Sequence, residues 1–474
     1  MMAPIQKTTF LISNRGMNDQ VELDDFSSTS YSPTKSNVSD SHSASISTNQ
    51  SNSSSSSNID EKISSEKNSE TYEEVGYWGN LLNLLNCMLG AGILSVPSTF
   101  NDSGIIVSLV IMIIVVLITH YATVITLILQ GKTKASGIDE LTEIYLGKVG
   151  SFLLSVMVII FNVGACLAYL VLGVDFIVSW FSFAGIDVSS SLYRAIITFV
   201  YGLCIPILLS VPKSLRFLSY LSSITDFFIV FYFFAMLAKM IIGIRESGIS
   251  DTICYAKADM KLFSSISIYA TSFALPICIL PIIWSFTPNV KKRCQSSYVS
   301  LAIVFALTAI PSIFVYIIFG ENTEGNVLKN FKDDDILIVL VRIGFFLIVT
   351  MSYPVVTPCI SASWSSIIFK VNNAADLTGW RRALILVITN GVTLIIAMFL
   401  PEMKPALEVG GAIGGCLGNF TVPGLLWIVA STKQKTHWTN ILSMFLTAFG
   451  VITAVISTYT AVLSAIDAFK TVDF

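Results

Sequence analysis

The chain is short of charge. Of its 474 residues only 12% are Asp, Glu, Lys or Arg, while 53% are apolar, and the mean hydropathy is +0.73. Soluble domains carry about 25% charged residues, so a water-soluble enzyme and a disordered protein are both excluded. There is no basic surplus either, because 28 Lys and Arg against 31 Asp and Glu leave a net charge of -3. Neutralising a phosphate backbone needs such a surplus, which excludes nucleic acid as a partner. Histidine is scarce, with three in the chain, and no Cys-x-x-Cys occurs, which removes the common zinc patterns. A membrane enzyme would need a polar cluster of His, Asp and Glu such as His-Glu-x-x-His; the chain lacks one, and enzymatic activity is not expected. Nor is a cleaved leader expected, since the start is polar and the first long apolar run begins near Tyr77. Six of the eight cysteines, Cys87, Cys166, Cys204, Cys278, Cys359 and Cys416, lie inside apolar runs, where thiols behave as small hydrophobes.

What is present divides into two parts. Residues 1–75 are polar, and within Ser27–Ser57 sixteen of thirty-one residues are serine. Such a stretch cannot bury enough apolar surface to offset its chain entropy, so a disordered cytosolic tail is predicted. It serves as a solvated spacer or, if it signals, as a platform for kinase or sorting partners. Residues 76–474 form a transmembrane domain. Runs of about 20 apolar residues, the length that crosses a hydrocarbon core of ~30 Å, recur to the end of the chain. Eleven are predicted, the first at Tyr77–Phe100, the sixth at Phe263–Phe286, the eighth at Ile336–Phe369, the tenth at Ala406–Ser431 and the last at Ile441–Ile466. The fold class is therefore an all-α polytopic membrane protein with the lipid bilayer as its solvent. The eighth run is too long for one straight span, and Pro354 and Pro358 are expected to kink it or to lay its end along the interface.

Spanning helices must satisfy their own backbone, so a break is tolerated only where the freed groups are buried in protein or line a polar cavity. The first run contains Gly90-Ala91-Gly92 with Pro97 beyond, and Asn80, Asn83 and Asn86 fall roughly on one helix face. The sixth run contains Thr271-Ser-Phe-Ala-Leu-Pro276 and Pro281 at comparable depth. Five runs separate the two breaks, and five is odd, so a five-plus-five repeat has inverted halves with the breaks at matching positions. That pattern points to a midplane substrate site in a secondary transporter. Freed amides at a half-helix N-terminus suit a carboxylate, and freed carbonyls suit an ammonium or a cation, so an amino acid fits as substrate. The ionisable residues within the runs, His120, Asp175, Asp226, Lys239, Arg342 and Glu408, are functional candidates by default. His120 and Glu408 are the candidates for proton handling, whereas Asp226, Lys239 and Arg342 fall near run ends, where snorkelling suffices. Asn162 and Tyr169, seven residues apart on the third run, are the candidates for substrate specificity.

The segment Asn86-Cys-Met-Leu-Gly-Ala-Gly-Ile-Leu-Ser-Val-Pro97, together with Leu141–Gly150, Ser352-Tyr-Pro-Val-Val-Thr-Pro358, Gly410-Gly-Ala-Ile-Gly-Gly415 and Pro423, resembles the amino acid/auxin permease family. That family includes vacuolar, sodium-coupled and proton-coupled amino acid transporters, and the resemblance runs from Val75 to the end. It implies an eleven-helix, inverted-repeat fold of the leucine-transporter type, in which Leu141–Gly150 matches the loop before the third span. It also implies that Gly90, Ala91 and Gly92 receive the substrate carboxylate and that carbonyls of Phe273, Ala274 and Leu275 receive its amino group. No cofactor is implied beyond H⁺ or Na⁺ as coupling ion. In sodium-coupled relatives the cation lies between spans one and eight, at positions matching Asn86, Leu89, Thr350 and Ser352. Two departures tilt the expectation toward the vacuolar or lysosomal, proton-linked branch over the plasma membrane. Ile360 and Ser361 stand where those relatives often have an arginine, and Cys254 has no cysteine partner in Glu321–Asp335. The alternative in a different class is a membrane-resident amino acid sensor that signals through its tail.

Thirteen Lys and Arg fall in the short loops on the side of the tail and eight on the other, which favours a cytosolic N-terminus and a lumenal or extracellular C-terminus. The sequons at Asn37, Asn49 and Asn52 should therefore remain unmodified, while a sequon engineered into 322–335 should be glycosylated. Gel mobility before and after endoglycosidase reads both, and the reverse pattern would invert the topology.

Overall fold

The computed structural model describes residues 75–188, 190–212, 222–371 and 374–470, so the tail predicted at 1–75 lies, apart from Val75, outside the described residues. Among the described residues every regular element is helical and there is no strand. The first run is two helices, α1 (Tyr77–Met88) and α2 (Gly92–Ser103), bent by 53° at their junction. Then come α3 (Ile105–Thr133), α4 (Ile138–Phe183), α5 (Ser191–Ser210) and α6 (Ser222–Ser247). The sixth run is also two helices, α7 (Leu262–Ser272) and α8 (Ile279–Ile283), separated by residues 273–278. The chain continues through α9 (Val290–Phe319), α10 (Ile336–Phe369), α11 (Gly379–Phe399), α12 (Lys404–Ala430) and α13 (Trp438–Lys470). Nine of the described helices are long and apolar enough to cross a membrane, and the bent pair α1–α2 brings the number to ten.

Burial separates core from periphery. In the most apolar stretch of α4 and of α12, 72% of residues are buried, against 22% in α5 and in α6. The first two therefore stand inside the bundle, and the second two present Leu, Ile and Phe to lipid. The helix α12 can lie so deep because it is built on glycine: a Cβ at Gly411 would fall 2.0 Å from the carbonyl oxygen of Ser267 on α7. Its turns widen to π-helical geometry over Gly410–Gly415 and again over Leu417–Thr421. Such widened turns cluster at functional sites.

Two segments singled out by the sequence take definite form here. The segment Leu141–Gly150, matching the family's loop before the third span, is helical on either side of Gly147, where φ is +70° and α4 breaks. Ile138, Leu141 and Thr142 are buried, and Ser136 donates from its N–H (2.8 Å) and its hydroxyl (2.7 Å) to the Glu140 carboxylate, so an apolar face and an entry clamp hold this turn in place. The run Ile336–Phe369 is one helix with both prolines inside it. It starts where Asp335 accepts from the amides of Leu337 (3.1 Å) and Ile338 (3.3 Å), and Asp335 also pairs with Lys239 of α6. At ~1.5 Å per residue the helix is about 50 Å long, so tilt or protrusion takes up what exceeds the ~30 Å core.

Arg342 does not snorkel. It is 2% exposed, and its guanidinium donates to Asp333 (2.7 Å) and to the carbonyls of Leu328 (2.8 Å) and Phe331 (3.1 Å). One buried cation thus gathers the connection between α9 and α10. Arg342→Met would leave those acceptors unsatisfied, and losing one partner of a buried charged network costs roughly 3 kcal/mol. A lower unfolding temperature in detergent is the expected outcome, and an unchanged one would refute this account of the loop.

Candidate functional site

Helix α1 ends at Met88 because Leu89 turns to an extended conformation (φ -82°, ψ 96°). Among the described residues, neither the Gly90 nor the Ala91 N–H donates to a backbone carbonyl, and hydrogen bonding resumes at Ile93 to Gly90 (3.4 Å) and Leu94 to Ala91 (3.2 Å). The two amides open the N-terminus of α2, where the helix presents partial positive charge.

The second break faces the first. The Gly92 Cα comes so close to α7 that an added Cβ would lie 2.5 Å from the Ser272 hydroxyl. Past Ser272 the backbone makes short local bonds: the Phe273 carbonyl accepts from Leu275 (2.8 Å), and the Leu275 carbonyl accepts from Cys278 (3.0 Å) and Ile279 (2.9 Å). The Ala274 carbonyl has no such backbone donor among the described residues. Asn419 of α12 holds this loop from behind. Its side-chain oxygen accepts from the Ile277 N–H (3.2 Å) and its amide donates to the Ala270 carbonyl (3.3 Å). Asn419 is not among the residues that the sequence singles out, and its one signal there is an asparagine in an otherwise apolar, glycine-rich run.

Tyr169 of α4 stands against Gly90, where a Cβ would meet its hydroxyl at 2.8 Å. Asn162 does not join it: its amide is spent on its own helix, donating to the Val158 carbonyl at 2.8 Å. The candidate sodium ligands are likewise divided. Thr350 and Ser352 are two residues apart on a helix, so they point about 200° apart. Thr350 bonds Tyr201 of α5 (2.8 Å), which leaves Ser352 on the other side of the helix. Asn86 donates to Asp226 of α6 (3.4 Å), which moves Asp226 from a snorkelling role to the neighbourhood of the first break. The asparagine stripe does not converge: Asn80 donates to Ser296 of α9 (2.8 Å) and Asn83 is exposed. Among the described residues no three His, Cys, Asp or Glu side chains group as metal ligands.

Glu408 is fully buried and takes a hydrogen bond from Ser264 of α7. Lys404 reaches Glu408 (3.9 Å) and Asp102 at the end of α2 (3.1 Å), and Ser265 donates to Asp102 (3.3 Å). These groups tie α2, α7 and α12 together on the far side of the breaks from α1. Every residue from Gly92 to Phe100 is buried, whereas Asn86 and Cys87 on α1, Cys278 and Ser352 are partly exposed. The breaks are therefore sealed on the α2 side and approached from the α1 side. His120 lies elsewhere, its ring edge-on to the half-exposed Tyr298 at 5.3 Å. A cavity of about 500 Å³ also lies away from the breaks, among Asp175, Arg194, Asn326, Lys329 and Arg342. Its charges are paired with one another, with Asp175 bound by Arg194 (2.7 Å) and Lys329 (3.0 Å), which assigns this cavity to anchoring the α9–α10 connection.

Comparison with known proteins agrees with this architecture. The chain is similar to MhsT, solved in complex with L-phenylalanine, with a TM-score of 0.50 and 12% identity over 83% of this chain and 98% of that one; the likeness is one of fold. Among curated relatives it is 26% identical over 395 residues to the "Putative sodium-coupled neutral amino acid transporter 10" of Xenopus laevis, covering 81% of this chain and 37% of that protein. It is 25% identical over 398 residues to "Solute carrier family 38 member 10" of Homo sapiens, covering 81% and 34%. The chain thus spans about a third of the length of these relatives. The family of transmembrane amino acid transporter proteins matches residues 73–463, nearly the whole of the helical region and both breaks, and the chain belongs to that family, the amino acid/auxin permeases.

Proposed function

We propose that this protein is a secondary active amino acid carrier working by alternating access, with the substrate held between the two helix breaks. The observation that carries the reading is that the two breaks leave backbone groups without backbone partners among the described residues, the amides of Gly90 and Ala91 in one and the Ala274 carbonyl in the other, and that the chain segments holding them approach closely at Gly92 and Ser272. An α-carboxylate fits the amides of Gly90, Ala91 and Gly92, and an α-ammonium fits the carbonyls of Phe273, Ala274 and Leu275. Tyr169 borders the same space and takes the role of side-chain selector. The matching breaks belong to an inverted five-plus-five repeat.

The coupling ion in this proposal is the proton, with Glu408 or His120 as its carrier. Ile360, Ser361 and the unpartnered Cys254 support it, as does the turn of Thr350 toward Tyr201. A sodium reading at Asn86, Leu89, Thr350 and Ser352 is favoured by one observation, the name sodium-coupled carried by the relative from Xenopus laevis. The vacuolar or lysosomal membrane, with the N-terminus in the cytosol, is part of the same proposal.

Uptake of a labelled amino acid panel into proteoliposomes under imposed gradients tests it. Acceleration by a pH gradient that survives replacement of sodium by choline is expected. A sodium requirement that weakens in Thr350→Ala would move the coupling to the second reading, and indifference to every gradient would overturn the carrier. The contact between the breaks has its own test. Gly92→Ala drives a methyl into the Ser272 hydroxyl, and an overpacking cost of about 1–3 kcal/mol carried into the transport barrier corresponds to a loss of uptake of about 5- to 150-fold. Ser272→Ala in the same chain removes the clashing oxygen and should restore part of it; no rescue would show that the two breaks do not meet as described.

A further inference from the structure

Most charges within the spans are answered by an opposite charge. Lys239 pairs with Asp335, Arg342 with Asp333, and Asp175 with Arg194 and Lys329, while Glu408 has Lys404 at 3.9 Å. Asp226 of α6 has no such partner among the described residues. Its Oδ2 accepts from the Asn86 amide (3.4 Å), and its Oδ1 is buried without a hydrogen-bond partner among the described residues. Asn86 lies three residues before Leu89, where α1 gives way to the first break, and both Asn86 and Asp226 are partly exposed. The helices packed against α6 are α1, α9 and α10. Their cations are Lys291, Lys292 and Arg293 at the start of α9 and Arg342 on α10. The two lysines are exposed, and Arg293 is held by Gln130 (2.7 Å) and by the Thr287 carbonyl. The other titratable groups on these three helices, the thiols Cys87, Cys294 and Cys359 and four tyrosine phenols, supply no cation. On α6 itself, Lys239 stands about 20 Å further along the helix, with Arg245 and Glu246 beyond it. An ionisable side chain left uncompensated at this depth is a functional candidate.

We propose that Asp226 is a proton-binding residue of the carrier, neutral while the α1 side of the breaks is closed and ionised while that side is open. The proposal rests on the carrier reading above and adds a carboxyl on the α1 side to Glu408 on the α2 side. The arrangement of the two oxygens suits it. A proton on Oδ1 leaves Oδ2 accepting from Asn86, so the contact between α1 and α6 survives titration. With the α1 side open, water reaches the residue and stabilises the carboxylate. When α1 closes on α6 that water leaves, and a carboxylate with no cation beside it is costly in a dry setting. One proton removes the cost. Asp226 therefore holds its proton while the α1 side is shut and the α2 side open, and releases it to water when the α1 side opens. A proton bound in one arrangement and lost in the other is what links a pH gradient to alternating access.

The test uses the full chain in proteoliposomes and has two readouts. The first is the infrared difference spectrum between acid and neutral pH, in which a protonated carboxyl shows its C=O stretch. A band that is absent in Asp226→Asn and present in Glu408→Gln is expected. Asn86→Ala keeps the carboxyl but removes its donor, and should move that band to higher frequency. The second readout is accumulation of labelled amino acid with the membrane potential clamped. A gradient of about one pH unit with one coupled proton concentrates the solute about tenfold. Asp226→Asn should lose that accumulation yet still exchange labelled for unlabelled amino acid at equal pH, and Asp226→Glu should regain it. The proposal is overturned by a spectrum that Asp226→Asn leaves unchanged, by a band that stays in place in Asn86→Ala, or by accumulation in Asp226→Asn that equals the unmodified protein. Loss of exchange as well, without rescue by Asp226→Glu, would make the residue structural, and a raised sodium requirement in Asp226→Asn would make it a cation ligand; either result also overturns the proposal. The spectrum is read whether or not uptake occurs, so failure of the carrier reading and failure of Asp226 as a proton site are separate results.

Discussion

Backbone hydrogen bonding in an apolar solvent governs this molecule. Water is absent from the hydrocarbon core, so each peptide group must find its partner within the protein, and uninterrupted helices are the cheapest arrangement. Most of the chain obeys, even where it carries proline: α10 runs through Pro354 and Pro358 as one helix. The interruptions at 89–91 and 273–278 stand against α4 and α12, each 72% buried in its most apolar stretch. Each break needs a supporting side chain, supplied by Asn419 behind the second and by Tyr169 beside the first. The polar groups left over after that support give the centre its capacity to hold a zwitterion.

The helix α12 performs two tasks with one composition. Glycine at 410, 411, 414 and 415 removes the side chains that would hold neighbouring helices apart, so α4 and α7 approach its backbone. The same glycines weaken regular α-helical winding, and the backbone relaxes into wider turns. At its start the helix carries Lys404 between Asp102 and Glu408. Close packing in the middle and charge at one end bind α2, α7 and α12 into a single unit.

Much of this was legible in the sequence. Long apolar runs declare themselves by length, and Gly90-Ala91-Gly92 with Pro97 declares a break, because no spanning helix accumulates such residues without a polar environment to receive the freed groups. What stayed hidden is the partner of each polar side chain. Nothing near Asn86 in sequence says that it meets Asp226, 140 positions away, and nothing near Gly92 names Ser272. Arg342 was misread for the same reason: a cation near a helix end usually reaches water, and only the returning loop at 328–333 supplies a better set of acceptors. The divergence of Thr350 and Ser352, by contrast, is simple helix geometry and follows from their numbers alone.

The two faces of the break region differ in what lies there. On the α2 side an ammonium is set between two carboxylates beside a fully buried run from Gly92 to Phe100, whereas the α1 side presents the partly exposed Asn86, Cys87, Cys278 and Ser352. A mostly buried ion pair is screened by salt far less than an exposed one, so added salt leaves the α2 side as it is.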